Sequence, residues 1–151
     1  MNQIKETLYQ LCLSFMEQRI QTAETALAQA REASNDDTKS SAGDKYETSR
    51  EMMQQDIDRN KRLLIDAQDN LRVLQAIDTH AADADTVKHG SLVTTSQGNF
   101  YISVSAGQLT VGGKSIFAIS PASPIGKLLL DKKKGDKFAF NGNNYVVEQV
   151  V

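Results

Sequence analysis

From Asn2 to about Ala33 the chain has no glycine and no proline, and a second helical stretch follows the interruption at 34–51. In the first, Ile4, Leu8, Leu11, Phe15, Ile20, Ala23, Leu27 and Ala30 recur at steps of three to five, which is helical periodicity. In the second, Met53, Ile57, Asn60, Leu64, Ala67, Leu71 and Leu74 alternate steps of four and three, a heptad seam that packs helix on helix. Asn60 is its lone polar position, suited to fixing register. Each arm is about 30 residues, or about 45 Å at 1.5 Å per residue. The simplest arrangement is an antiparallel helical hairpin over residues 1–79, with "SNDDTKSSAGDKYETSRE" (34–51) as the bend. Seam residues shrink to alanines toward the bend, so the tip should be slender.

The pattern changes after a linker over residues 80–89. From Gly90 to Val151, "SLVTT", "NFYISVS", "KSIFAIS", "DKFAF" and "NYVVEQVV" are short β-rich runs, separated by turn signals that include Gly112–Gly113 and "NGNN". These predict a small antiparallel sheet of five strands. One helix of two to three turns interrupts them: Ser123 caps it, Pro124 opens it and Gly135 lies beyond its end. The expected class is α+β.

A net charge of -2 argues against general affinity for nucleic acid, because binding by phosphate neutralisation needs a basic excess. The single Cys12 lies in an apolar stretch and reads as a small buried hydrophobe. No run approaches the roughly 20 apolar residues of a membrane span, and the N-terminus lacks the pattern of a secretory signal, so a cytoplasmic protein is expected. His80 and His89 flank the junction with no Cys or second His at ligand spacing, and read as linker residues. Nucleophile, phosphate-loop and zinc motifs are missing. A self-sufficient active site is hard to assemble from this inventory.

Two groups of charges stand out. Lys132, Lys133 and Lys134 follow the short helix, either as a solvated turn or as a local patch for an acidic or RNA partner. At the bend, Asp36 or Asp37 and Ser40 or Ser41 can serve as turn and capping residues, with Asp44 and Glu47 favoured by the dipole of the second helix. The functional alternative is that these carboxylates help to hold a divalent ion such as Mg²⁺, the remaining ligands coming from a second protein.

The stretch "AREASNDDTKSSAGDKYETSREMMQQDIDRNKRLLIDAQDNL" resembles the hairpin of the Gre family of bacterial transcript cleavage factors, and "ISPASPIGKLLLDKKKGDKF" resembles that family's C-terminal signature. The resemblance implies an N-terminal coiled-coil hairpin followed by an FKBP-like domain over 90–151. It also implies a monomeric partner of bacterial RNA polymerase. In the family that domain docks beside the secondary channel, the hairpin enters it, and tip carboxylates share the polymerase's Mg²⁺ while the polymerase hydrolyses backtracked RNA. The factor is not an enzyme by itself, has no cofactor of its own and meets nascent RNA only indirectly.

Carried over by position, Tyr46, Arg50 and Glu51 match the tip tyrosine and following "RE", and Arg31 and Glu32 the end of the first helix. Ser123, Pro124, Ile125, Gly126, Lys127, Gly135 and Asp136 match the docking domain's signature. The tip is two residues longer than the family's usual one. Asp37 falls on the first acid, the second falls on or near Ser40, and Asp36 or Asp44 stands as its substitute. One carboxylate in place of two weakens a metal site, so a channel-binding regulator without cleavage activity is the alternative within the family.

Two readings lie outside it. A prolyl isomerase rests on fold analogy alone, and Phe100, Tyr101, Phe117, Phe138, Phe140 and Tyr145 read mostly as core. A coiled-coil adaptor explains the helices but leaves the C-terminal signature without a reason.

Overall fold

The computed structural model describes residues 3–40, 44–78 and 84–151, without the side chains of 36–40 and 44–46. The fold is α+β: helices α1 (Gln3–Ser40) and α2 (Asp44–Gln75) are followed by strands β1 (Leu92–Thr95), β2 (Gly98–Ile102), β3 (Gly107–Val111) and β4 (Lys114–Ile119). Helix α3 (Pro124–Leu129) and strands β5 (Lys137–Phe140) and β6 (Asn143–Val150) complete it. The chain divides into two compact units, Met16–Leu71 and Met1–Phe15 with Arg72–Val151.

The helices are longer than the expected 30 residues. At 38 and 32 residues they span about 57 and 48 Å. Most of 34–51, read as a bend, is helical backbone. The first glycine is Gly43, and "ASNDDTKS" contains no breaker that would stop α1 earlier. Asp36, Asp37 and Ser40 therefore lie within α1, not in a turn.

Burial also corrects the phase of the first helix. Leu11 and Phe15, expected on the seam, are each 38% exposed, whereas Leu8, Cys12 and Met16 are fully buried. Residues 11–16 read "LCLSFM", so nearly every position is apolar and the period is degenerate there; the buried set follows steps of four. Farther along α1, Ala23 and Leu27 are buried, with Ile20 and Ala30 half-buried. On α2 the heptad positions are the protected ones. Ile57, Ala67 and Leu74 are buried and Met53, Asn60, Leu64 and Leu71 half-buried, while Leu63 and Ile65 are exposed. Asn60 hydrogen-bonds its own helix, Nδ2 donating to the Asp56 carbonyl at 2.9 Å, the i to i-4 bond common in helices.

The sheet has six strands in the order β3-β4-β2-β1-β6-β5, one more than expected, the addition being Gly107–Val111. It is mixed, not purely antiparallel. β3 folds back outside β4 as an edge strand, so β4 meets β2 directly and runs parallel to it. The β3–β4 and β5–β6 turns place Gly112 and Gly113, then Asn141 and Gly142, at positive φ, as two-residue hairpin loops require.

β2 is covered on both faces. Phe100 and Ile102 join Val87, Val93, Leu129, Tyr145 and Val147 in one core cluster. Tyr101 and Ser103, alternating with them, are also buried, and Ser103 Oγ lies 3.6 Å from Cys12 Sγ on α1. Lys5, only 8% exposed, donates from Nζ to the Val151 carbonyl at 3.2 Å. The start of α1 is thus tied to the sheet at two points. Burial pushes the Cys12 thiol up, partly offset by the Ser103 hydrogen bond, which suits a structural thiol.

The corrected helix phase is testable by urea unfolding. Leu8→Ala should cost about 2–5 kcal/mol, as for a filled core site, and Leu11→Ala less than about 1 kcal/mol. Equal costs would restore the phase read from the sequence.

Candidate functional site

The C-terminal signature acts first on its own backbone. Ser123 is the N-cap of α3: its Oγ accepts from Gly126 N at 3.1 Å and donates to the Ser120 carbonyl at 2.6 Å. Pro124 opens the helix, where its missing N–H costs nothing. Gly126 is buried, and a Cβ there would drive into the Ser120 carbonyl oxygen and crowd Ser123 Oγ. Its own carbonyl accepts from Leu130 N at 3.0 Å. Ile125 packs against the core cluster beside Leu129, while Lys127 points to solvent. At six residues α3 is shorter than the expected two to three turns, because Leu130 and then Asp131 leave helical geometry, Asp131 at φ 68°.

Gly135 and Asp136 close the next turn. Gly135 adopts φ 92°, a conformation glycine takes without a Cβ penalty, and its N–H donates to the Val147 carbonyl at 2.7 Å. Asp136 Oδ2 accepts from Lys133 N at 2.8 Å, and its carbonyl accepts from Val147 N at 2.8 Å. Ser123, Pro124, Gly126, Gly135 and Asp136 each have a local task in one turn-helix-turn. Lys127 and Leu128 are the residues of α3 most free to meet a partner, Leu128 being 36% exposed.

At the other end of the functional reading, Asp36, Asp37 and Asp44 and the matched Tyr46 have side chains outside the described residues. Glu47, Arg50 and Glu51 are exposed on the first turns of α2, and Arg31 and Glu32 are exposed on α1. Glu47 sits where the N-terminal dipole favours an anion. Among the described residues no group of three metal-ligating side chains comes together.

His80 lies outside the described residues. His89, expected in a linker, belongs to the same unit as the sheet, half-buried in the turn before β1. It hydrogen-bonds the Ser103 backbone, and its Nε2 is buried without a partner among the described residues. Burial holds its pKa below the ordinary 6.5, only partly opposed by that hydrogen bond. Of the aromatics weighed for an isomerase pocket, Phe100, Tyr101 and Tyr145 are buried, Phe138 and Phe140 half-buried, and Phe117 42% exposed. Phe138 and Tyr145 stack at 4.9 Å across the β5–β6 hairpin. Sequence spacing could not place His89 or the Tyr101–Ser103–Cys12 seam, because both depend on which face of β2 meets α1.

No family model matches the chain, and no curated protein matches it in sequence. Among the described residues no helix is long and apolar enough to cross a membrane.

Two measurements follow from these local tasks. Gly126→Ala should lower unfolding stability by about 1–3 kcal/mol, as for an overpacked site, and Ser123→Ala by about 1 kcal/mol, as for a lost N-cap. An NMR titration should place the His89 pKa below 6.5. The unfolded chain then binds the proton more tightly, so this group's stabilisation is complete above about pH 6.5 and is lost as pH falls through the folded pKa. His89→Gln identifies the resonance; a His89 pKa at or above 6.5 contradicts the buried neutral imidazole.

Proposed function

We propose that the chain is an RNA polymerase-binding transcription factor of the Gre type. In this reading α1 and α2 pack on each other as an antiparallel coiled coil whose tip enters the secondary channel. The sheet with α3 is then the FKBP-like docking domain. The observation that carries the proposal is the pair of consecutive helices of 38 and 32 residues, joined through residues 41–43, with Asp36, Asp37, Asp44 and Glu47 around the join. A globular core does not need helices of that length, and a probe that must reach into a narrow passage does. The sequence signature shared with the family adds support, in the order two helices, then a small sheet with one short helix.

Carboxylates at the end of such a probe cannot cage a cation alone, since Mg²⁺ is usually held by one or two carboxylates plus substrate oxygens and water. The chemistry therefore belongs to the polymerase, whose Mg²⁺ the tip would share. Asp37 would supply one oxygen donor, and Asp36 or Asp44 the second. Ser40 near the family's second acid supports the alternative that the chain occupies the channel and regulates without cleavage.

Two assays separate these readings. The full chain should bind core bacterial RNA polymerase at micromolar concentration or tighter, and failure to bind ends the proposal. Incubated with backtracked elongation complexes and Mg²⁺, a cleavage factor shortens the transcript. Asp37→Ala should then reduce cleavage at least tenfold while binding changes less than about twofold, because in this reading the tip serves the metal and the sheet domain serves docking. Bound protein that changes initiation or elongation without shortening RNA assigns the regulator role.

A further inference from the structure

Between Lys88 and Lys114 the chain contains no Asp, Glu, Lys or Arg, in a sequence that is 24% charged. That stretch includes β3, Gly107–Val111, an outermost strand of the sheet. Among the described residues β3 pairs with β4 alone, and no other backbone hydrogen bond reaches it. A strand so placed offers a row of unpaired backbone groups, which a lysine, a proline or a bulge ordinarily guards. β3 has none of these: "GQLTV" is uncharged, and its register with β4 is unbroken from Gly107 to Val111. The other edge differs. β5 carries the exposed Lys137 and follows Lys132, Lys133 and Lys134 closely.

The hairpin fixes which backbone groups face outward. A two-residue turn with Gly112 and Gly113 both at positive φ makes Val111 and Lys114 the hydrogen-bonded pair that closes it. Alternation along an antiparallel ladder then bonds Leu109 to Ile116 and Gly107 to Ala118, and turns the N–H and C=O of Gln108 and Thr110 away from β4. Gln108 and Thr110 are exposed, and they share a face with their partners Phe117, itself 42% exposed, and Ser115. Gln108 Nε2 donates to Ser115 Oγ at 2.5 Å, so its side chain is drawn toward β4 and does not cap the outward backbone. Leu109 and Val111, half-buried, lie on the opposite face with the buried Ile116.

We infer that β3 is a dimerisation edge, pairing with β3 of a second copy of this chain, antiparallel about a two-fold axis at Leu109. In that register Gln108 stands opposite Thr110 of the second copy and Thr110 opposite its Gln108, so every outward N–H meets a C=O. Leu109 meets Leu109 of the second copy at a non-hydrogen-bonded position, where cross-strand side chains approach most closely, and Gly107 leaves room for Val111. The strand is thus its own complement: polar stands against polar, apolar against apolar, and no charge is buried or opposed. A slip of one residue would set outward backbone groups against inward ones, which fixes the register. A net charge of -2 gives two copies little mutual repulsion. The pairing is isologous and closed, joining two sheets into one, and it replaces the monomer that the family resemblance implies.

The test is sedimentation equilibrium of the full chain alone, from micromolar to millimolar concentration. The wild-type mass should rise from 16.6 kDa toward twice that value and no further. Thr110→Pro removes an outward N–H without touching the β3–β4 ladder and should weaken the dimer at least about tenfold, whereas Thr110→Val keeps the N–H and should change it less than about threefold. Gln108→Lys/Thr110→Lys sets lysine opposite lysine and should abolish the dimer. Gln108→Lys/Thr110→Glu sets lysine opposite glutamate across the same axis and should restore it to within about threefold of wild type. A wild type that stays monomeric, association that passes beyond the dimer, or a dimer that the proline and the paired lysines leave unchanged overturns the inference. A lysine–glutamate variant that stays monomeric overturns the two-fold register. Circular dichroism establishes that each variant is folded, and because polymerase is absent, every outcome is independent of the channel-binding proposal.

Discussion

The burial of β2 on both faces is the constraint from which the rest of the C-terminal unit follows. A strand alternates its side chains, so a strand covered once shows alternating exposure. Here Phe100, Tyr101, Ile102, Ser103 and Val104 are all buried in succession. One face supports the cluster that receives Leu129 of α3; the other receives the start of α1 at Cys12 and Ser103. Without α1 that second face would be open to water and Tyr101, now fully covered, would be exposed. The first turns of α1 are thus part of the sheet's core as much as of a long helix, and the compact unit accordingly includes Met1–Phe15.

Placed on that core, the C-terminal signature is first a statement about folding. Gly126 is small because the Ser120 carbonyl occupies the space of a Cβ, Ser123 is polar because α3 needs a cap, and Gly135 is glycine because its φ is positive. Residues of this kind identify an architecture without identifying a partner, since fold and function are separable. The same geometry leaves Lys127, Leu128, Lys133 and Lys134 exposed. A resemblance built from the first group supports the fold more directly than the docking.

How much was legible in the sequence varied with how uniquely a pattern fixed a phase. The α2 seam was readable because mostly polar residues separate Ile57, Leu64 and Leu71, whereas "LCLSFM" in α1 admits several helical phases, and the contact with Ser103 selects Cys12. The hairpin turns were legible at Gly112–Gly113 and Asn141–Gly142 because positive φ selects those residues. "QLTV" is legible as the first side of the Gly112–Gly113 hairpin but not as a sixth strand, because "GQLTV" is short, begins with glycine and lies at an edge, and the parallel β2–β4 pairing is hidden with it. The end of α1 is hard to place from sequence because small polar residues are weak helix formers in isolation, yet no glycine or proline precedes Gly43 to stop it. The acidic join was legible as composition, but its geometry rests on side chains that spacing alone does not orient.

The two charged regions differ in balance: at the join Lys39 and Lys45 stand among four carboxylates, whereas residues 127–137 hold five lysines against two aspartates. Asp36, Asp37, Asp44 and Glu47 gather at the join of the long helices, while the lysines gather in the turn after α3, about 90 residues later in the chain. Had the lysines served mainly to stabilise the fold, the expected arrangement is pairing with nearby carboxylates, and even then exposed pairs contribute at most about 1 kcal/mol each. Exposed charges left unpaired contribute little to folding but act on encounter with a partner, because a surface of one sign steers toward its complement.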